Sequence, residues 1–269
     1  MSEGIRRLLI VMTVLAILGM GSFFFYQFDS GYKVLQSVQL GQLMREAEAY
    51  YHVLLDARSW NANLGGVYAR PKAGLKPNPY LPDNTLMSEH GEELIKINPA
   101  WMTRQIAEIA NRQDHVHIRI TSLKPINPGN APTPFEKEAL SYFELHPNDA
   151  KFTRLDLSRH RYDYMGRLLV TSSCLQCHAQ QGYKLGDIRG GIHITLPTHD
   201  YEEKIAYYKK RYWILLSTVA LFVTILLLLF LWILGPLNQC REPKEEFEAS
   251  FSELSKKTAT SFSDEEPRA

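Results

Sequence analysis

Cysteine is scarce in this chain. It occurs three times in 269 residues, at positions 174, 177 and 240, too few for a domain stapled by disulfides. An excess of charge of either sign is also missing. Lys and Arg number 30 against 29 Asp and Glu, a formal net charge of +1, so no global field draws the chain to nucleic acid. No nucleophile paired with a base and no phosphate-cradling glycine loop stands out, so nothing argues for a hydrolase or transferase and no enzyme is expected. The glycine pairs at 65–66 and 190–191 read as loop chemistry.

Two stretches lack charge altogether. The first runs from Leu8 to Phe28 (LLIVMTVLAILGMGSFFFYQF) and the second from Tyr212 to Leu234 (YWILLSTVALFVTILLLLFLWIL). Each is long enough as a helix to cross about 30 Å of hydrocarbon. Trp213 and Trp232 mark the two ends of the second, as an interfacial aromatic belt does. Arg6 and Arg7 precede the first run, but Phe23-Phe24-Phe25-Tyr26 follows its core where a cleaved signal would carry small residues. An uncleaved anchor is therefore expected.

The expected organisation is a short N-terminus (1–7), a transmembrane helix (8–28), an extracytoplasmic domain (29–211), a second transmembrane helix (212–235) and a cytoplasmic tail (236–269). Flanking charge orients the spans poorly: Arg6 and Arg7 favour an inside N-terminus, while Lys209, Lys210 and Arg211 flank the second span on its loop side. The tail is too short for a kinase or cyclase. Its end, KKTATSFSDEEPRA, is polar and reads as disordered. Phe247, Phe251 and Leu254 could lie on one short amphipathic helix.

Between the spans lies Cys174-Leu175-Gln176-Cys177-His178. A C-x-x-C-H run is the pattern of c-type haem attachment: each thiol can form a thioether to one porphyrin vinyl, and the adjacent imidazole can serve as proximal iron ligand. Three other readings remain open. Cys-Cys-His with a distant His could bind zinc, although structural zinc usually takes four ligands and Cys240 lies beyond the second span. The pair could be a thioredoxin-like redox motif, or a disulfide. Haem attachment selects the extracytoplasmic face, where bacterial c-haem assembly operates, and this places 29–211 in the periplasm of an inner-membrane protein with both termini inside.

Along the chain, Tyr32 to Trp60 has no proline and recurs apolar at three and four spacing, so the first helix continues out of the membrane. One face could pair with a second copy in a homodimer. His52 on this helix is a surface or packed side chain, or a distal haem ligand. Residues 60–85 break every period and read as one long loop. Asn98-Pro99 opens a helix through about residue 113; its Met102 is core or a thioether ligand to iron. His115–Leu123 alternates as a strand, and Thr133-Pro134 with Glu136 caps a helix to Leu145. Phe152–Leu157, Arg161–Val170 and Ile192–Leu196 read as further strands. The sum is an α+β domain with an antiparallel sheet and flanking helices, set between two transmembrane helices.

Several stretches together resemble the Tll0287-like family. They are WNA (60–62), GGVY (65–68), PNPYL (77–81), INPAWMTRQ (97–105), TSLKP (121–125), NP (127–128), NAP (130–132), CLQCH (174–178) and GDIRGG (186–191), in order across about residues 58–197. The resemblance implies c-type haem on a PAS-like fold, with Cys174 and Cys177 as covalent attachment points and His178 as proximal ligand. It also implies a sensory role, since such domains often precede histidine kinase or cyclase modules. Two departures stand out. Members with a cysteine distal ligand carry it in the helical region before the TSLKP stretch, where this chain has none, leaving Met102, His52 or a vacant site as the alternatives. No output module follows, so a signal responding to redox state or a diatomic ligand would act through a partner such as a kinase. A membrane-tethered, cytochrome c-like electron carrier serving a redox partner is the alternative.

Overall fold

In the computed structural model the described residues are 3–72, 74–113, 115–239, 248–253 and 255. The chain divides into two compact units, Met1–Ala206 and Tyr207–Ala269.

The first unit opens with α1 (Glu3–Asn63), one 61-residue helix that includes the first apolar run and continues beyond it, as the sequence indicates. Its length follows from composition, because the first proline of the chain is Pro71. Gly65 ends the run with φ +74°, a left-handed conformation that glycine adopts without Cβ strain. Asn61 is fully buried and donates from Nδ2 to the Ile97 carbonyl at 3.0 Å, tying the end of α1 to the following sheet.

Residues 60–85 are not one loop. They contain β1 (Val67–Ala69) and reach β2 (Thr85–Met87), which flank β3 (Glu93–Ile97) in an antiparallel three-stranded sheet of order β1-β3-β2. Strands of three residues are too short to display a two-residue period, and prolines 71, 77, 79 and 82 between them dominate the pattern.

α2 (Pro99–Ala110) starts as expected, with Asn98 Oδ1 accepting from the Trp101 N–H at 2.9 Å and proline in the first turn. It is followed by β4 (His117–Thr121) and α3 (Pro134–Leu145). The capping box on α3 is complete: Thr133 Oγ1 accepts from the Glu136 N–H, and Glu136 Oε2 accepts from the Thr133 N–H. Then come β5 (Lys151–Asp156), β6 (Arg161–Leu169), the short α4 (Ser172–His178), β7 (Ile188–Pro197) and α5 (His199–Gln239).

The main sheet is antiparallel, of order β4-β7-β6-β5. Alternation sorts its side chains onto two buried faces. Tyr162, Tyr164 and Leu168 of β6 lie with Ile192, Ile194 and Leu196 of β7 beneath Ala47, Tyr51 and Leu54 of α1 and Ala107 of α2. On the reverse face, Met165 packs with Phe135, Ala139, Leu140 and Phe143 of α3. Full burial of a side chain such as Phe143 or Leu140 contributes roughly 1.5–3 kcal/mol. Helices on both faces of an antiparallel sheet make this an α+β domain.

The second unit holds α5 from Tyr207 onward and the helical residues 248–253. α5 continues to Gln239, beyond residue 235, the expected end of the second span. Two helices, within Arg7–Asn63 and His199–Phe230, are long and apolar enough to cross a membrane, and their apolar windows are not buried. The tail expectations that fall on Phe247, Leu254 and residues 256–269 lie outside the described residues.

Candidate functional site

β6 does not turn directly into β7. It releases the chain at Leu169, and the chain returns at Ile188. The neck of this excursion is closed by two backbone bonds, Val170 N–H to the Asp187 carbonyl at 2.8 Å and Gly186 N–H to the Val170 carbonyl at 3.0 Å. The C-x-x-C-H run sits on the excursion as α4, with Cys174 and Cys177 one turn apart along it. Thr171 is the N-cap residue, and its Oγ1 lies 3.1 Å from Cys174 Sγ. Cys174 is a half-buried free thiol. Of Cys177 the structure describes the backbone, inside α4.

His178 ends α4 and is half-buried. Its Nδ1 is held at 2.8 Å by Gln181 Oε1, while Nε2 has no hydrogen-bond partner among the described residues. Burial, and behind it the charges of Arg189 and Arg58, lowers the imidazole pKa against the opposing pull of Gln181. The ring is thus neutral near pH 7, with one nitrogen fixed and the other available, the arrangement of a metal-ligating histidine.

The imidazole lines a cleft of about 780 Å³ of empty space, solvent at its mouth included. One part of its wall is apolar: Tyr80, Leu81, Trp101, Ile120, Ile126 and Leu168. The rest is polar and cationic, with Asn78, Asn98, Asn130, Arg58, Arg104 and Arg189. The ends of β4 and β6, the start of β7, the C-terminal turns of α1 and the first turns of α2 all meet here. Gly190 lets β7 pass close to β4: a Cβ there would stand 2.2 Å from the Thr121 carbonyl oxygen.

His52 and Met102 are not brought to this cleft. His52 is exposed on α1, edge-on to the Tyr51 ring at 5.3 Å. Met102 is half-buried, and its sulfur accepts from Asn61 Nδ2 at 3.6 Å. On α2 it is Trp101 and Arg104, three residues apart and so on one face, that reach the cleft; Met102 is rotated away. Among the described residues no three His, Cys, Asp or Glu side chains gather as a metal cluster.

Sequence reasoning missed the arginines. Arg104 and Arg189 stand inside motif stretches, but their type alone did not set them apart from surface charge. It also missed a buried polar cluster beneath α3. His193, on the α3 face of β7, places Nδ1 2.9 Å from Glu136 Oε1 and Nε2 3.0 Å from Asp163 Oδ1. Both carboxylates are fully buried. Arg119 Nε bonds Glu136 at 2.9 Å, and Arg161 lies 3.0 Å from Asp163. Burial opposes charge on Glu136, but bonds from His193 and the Thr133 N–H, with the charges of His193 and Arg119, prevail and hold its pKa at about 2. Burial likewise opposes the imidazolium of His193, and the bonds to Asp163 and Glu136 outweigh it and raise its pKa.

Comparison with known proteins agrees with the motif order along this domain. The family model Tll0287-like matches residues 36–197. The chain is similar, at 20% identity, to the protein in the crystal structure of the cyanobacterial heme-protein Tll0287; the match covers 59% of this chain and 94% of that one, with a TM-score of 0.34. No curated protein matches it. With the family match spanning the C-terminal part of α1 through the end of β7, and the C-x-x-C-H helix and its cleft inside it, the chain belongs to the Tll0287-like family.

Proposed function

We propose that this is a membrane-anchored, c-type haem-binding sensory domain, not an enzyme, which responds to redox state or a diatomic ligand and signals through a partner. The observation that carries the proposal is the placement of His178 with Nε2 unengaged, on the same short helix as Cys174 and Cys177, at the wall of a part-apolar, part-cationic cleft. These residues fit a covalently held porphyrin: thiols for two thioethers, a neutral imidazole for the iron, and an apolar wall for the ring. The group, when bound, supplies an iron that changes oxidation state and takes small ligands. The protein's part is to orient the His178 ring through Gln181 and to cover one side with Trp101, Leu81 and Ile120. His178 is the one His, Cys or Met lining the cleft among the described residues, and it would hold the iron.

Connectivity favours the sensory role over an electron carrier. Arg58 belongs to α1, the helix that also carries the first apolar run. Arg189 and Gly190 belong to β7, which leads through Thr198 into α5. A change at the cleft therefore acts directly on both elements that continue into membrane-compatible helices. In this reading residues 29–211 face the periplasm, and both spans sit in a bacterial inner membrane.

The test is expression of the full chain with c-haem maturation proteins. Haem that survives denaturing electrophoresis is expected in the wild type and is lost in Cys174→Ser with Cys177→Ser. The ferrous spectrum should be five-coordinate and should shift with carbon monoxide. Absence of covalent haem sinks the proposal. Haem that reduces and reoxidises without altering hydrogen exchange in α1 or β7 leaves the electron carrier in its place.

A further inference from the structure

Two guanidinium groups in the cleft have no acidic partner among the described residues. Arg58, half-buried on α1, donates from one terminal nitrogen to the Pro99 carbonyl at 3.2 Å and Thr103 Oγ1 at 3.0 Å, both neutral. Arg189, on β7, donates to Ser122 Oγ and stacks its guanidinium 5.0 Å from the Tyr183 ring centre. Its Nε is buried and has no hydrogen-bond partner. The two arginines come from opposite ends of the domain sequence and line the same cleft. Burial brings Arg58 down to about 10, against the pull of Cys174 and with the like charge of Arg189 behind it. Arg104, on the same wall, has its carboxylate partner Glu108 at the limit of contact, 4.0 Å, on the exposed side.

Buried charges are normally paired, and leaving a guanidinium unpaired in a cleft is costly. Elsewhere in the sheet domain Arg119 has Glu136, Arg154 has Glu138 and Arg161 has Asp163, while Arg167 donates to the Pro147 carbonyl. Arg58 and Arg189 stand together in the cleft that also holds His178. A planar fork of donors matches a carboxylate in a bidentate way.

We infer that Arg58 and Arg189, with Arg104 at the rim, form a carboxylate-binding site whose occupant is the pair of propionate side chains of the haem. This rests on the haem reading above. It adds a role for α1: the charge at the porphyrin edge is held by the helix that continues into the first apolar run. The same chemistry could be met by a free carboxylate or phosphate from solution, and the experiment separates the two sources.

The experiment uses the full-length holoprotein in detergent, with covalent haem first verified by denaturing electrophoresis. Midpoint potentials are measured for the wild type, Arg58→Gln, Arg189→Gln and the two corresponding lysine variants. Loss of one cation near the porphyrin edge favours ferric iron. Each glutamine variant should therefore raise the ferric-to-ferrous ratio at a fixed potential about tenfold, equivalent to a drop of about 59 mV for a one-electron couple. The lysine variants keep the charge and should shift far less, which a merely structural role would not produce. Covalent haem content should be unchanged, because thioethers hold the group. Acetate or inorganic phosphate titrated into the wild type should leave its spectrum and potential unchanged, a readout independent of any variant folding. Unchanged potentials in both glutamine variants overturn the inference while leaving the haem reading standing. A saturable shift with acetate or phosphate overturns it in favour of a solution anion. Wild type without covalent haem removes both.

Discussion

Replacing His193 by glutamine tests the polar core of the domain. In the native protein the imidazole bridges two fully buried carboxylates, Glu136 of α3 and Asp163 of β6, with Arg119 of β4 and Arg161 of β6 as the remaining cations. Both ring nitrogens face carboxylate oxygens, so the bridging form is the imidazolium. His193→Gln removes that charge and leaves two buried anions against two arginines whose side chains are 43% and 31% exposed. Removing one partner of a buried ion pair costs about 3–5 kcal/mol. The glutamine amide can still donate to one carboxylate, which favours the lower end. The pKa of Glu136 supports the same size. It is held at about 2 against an ordinary 4.5, and that gap corresponds to roughly 3 kcal/mol of differential stabilisation of the carboxylate, part of it due to His193.

The pH dependence follows from the two directions. Glu136 titrates lower in the folded state, so its contribution is present above pH 4.5 and is lost as pH falls towards 2. His193 titrates higher when folded, so its contribution is full below pH 6.5 and is lost as pH rises through its raised value. Wild-type stability should therefore peak between these limits, and the gap to the variant should be widest there and narrow on the alkaline side. The assay is urea unfolding of the detergent-solubilised full chain, followed by near-ultraviolet circular dichroism across pH. A gap below about 1 kcal/mol near pH 5.5, or one that does not change with pH, refutes the reasoning.

Two further substitutions follow from the geometry. Gly190→Ala would drive a Cβ to 2.2 Å from the Thr121 carbonyl oxygen. It should part β4 from β7 at the cleft rim, cost about 1–3 kcal/mol in unfolding free energy, and alter the absorption spectrum of bound haem. Thr133→Ala removes the capping box of α3 and should cost about 1 kcal/mol in the same urea titration, with no spectral change.

Local patterns in the sequence carried far. The absence of proline before residue 71 was enough for one continuous α1, and Thr133-Pro134 with Glu136 marked both the start and the cap of α3. Asn98-Pro99 did the same for α2, and alternation identified the four strands of the main sheet within a few residues. These features are local: helix caps and side-chain periods need only neighbouring residues to be read. Cys174-Leu175-Gln176-Cys177-His178 is legible for the same reason.

Tertiary structure decided what meets the motif. Arg58 and His178 are 120 positions apart, and nothing in the spacing of either announces the shared cleft. Met102 was a reasonable ligand by type, but helix rotation sends Trp101 and Arg104 to the cleft and Met102 to Asn61. The small β1-β3-β2 sheet escaped because three-residue strands are defined by their partners and not by their own pattern. Glu136 is the clearest case. The sequence marks it as a capping residue, yet only the packing of α3 on β6 and β7 sets it 2.9 Å from His193, where burial makes the pairing of every charge obligatory.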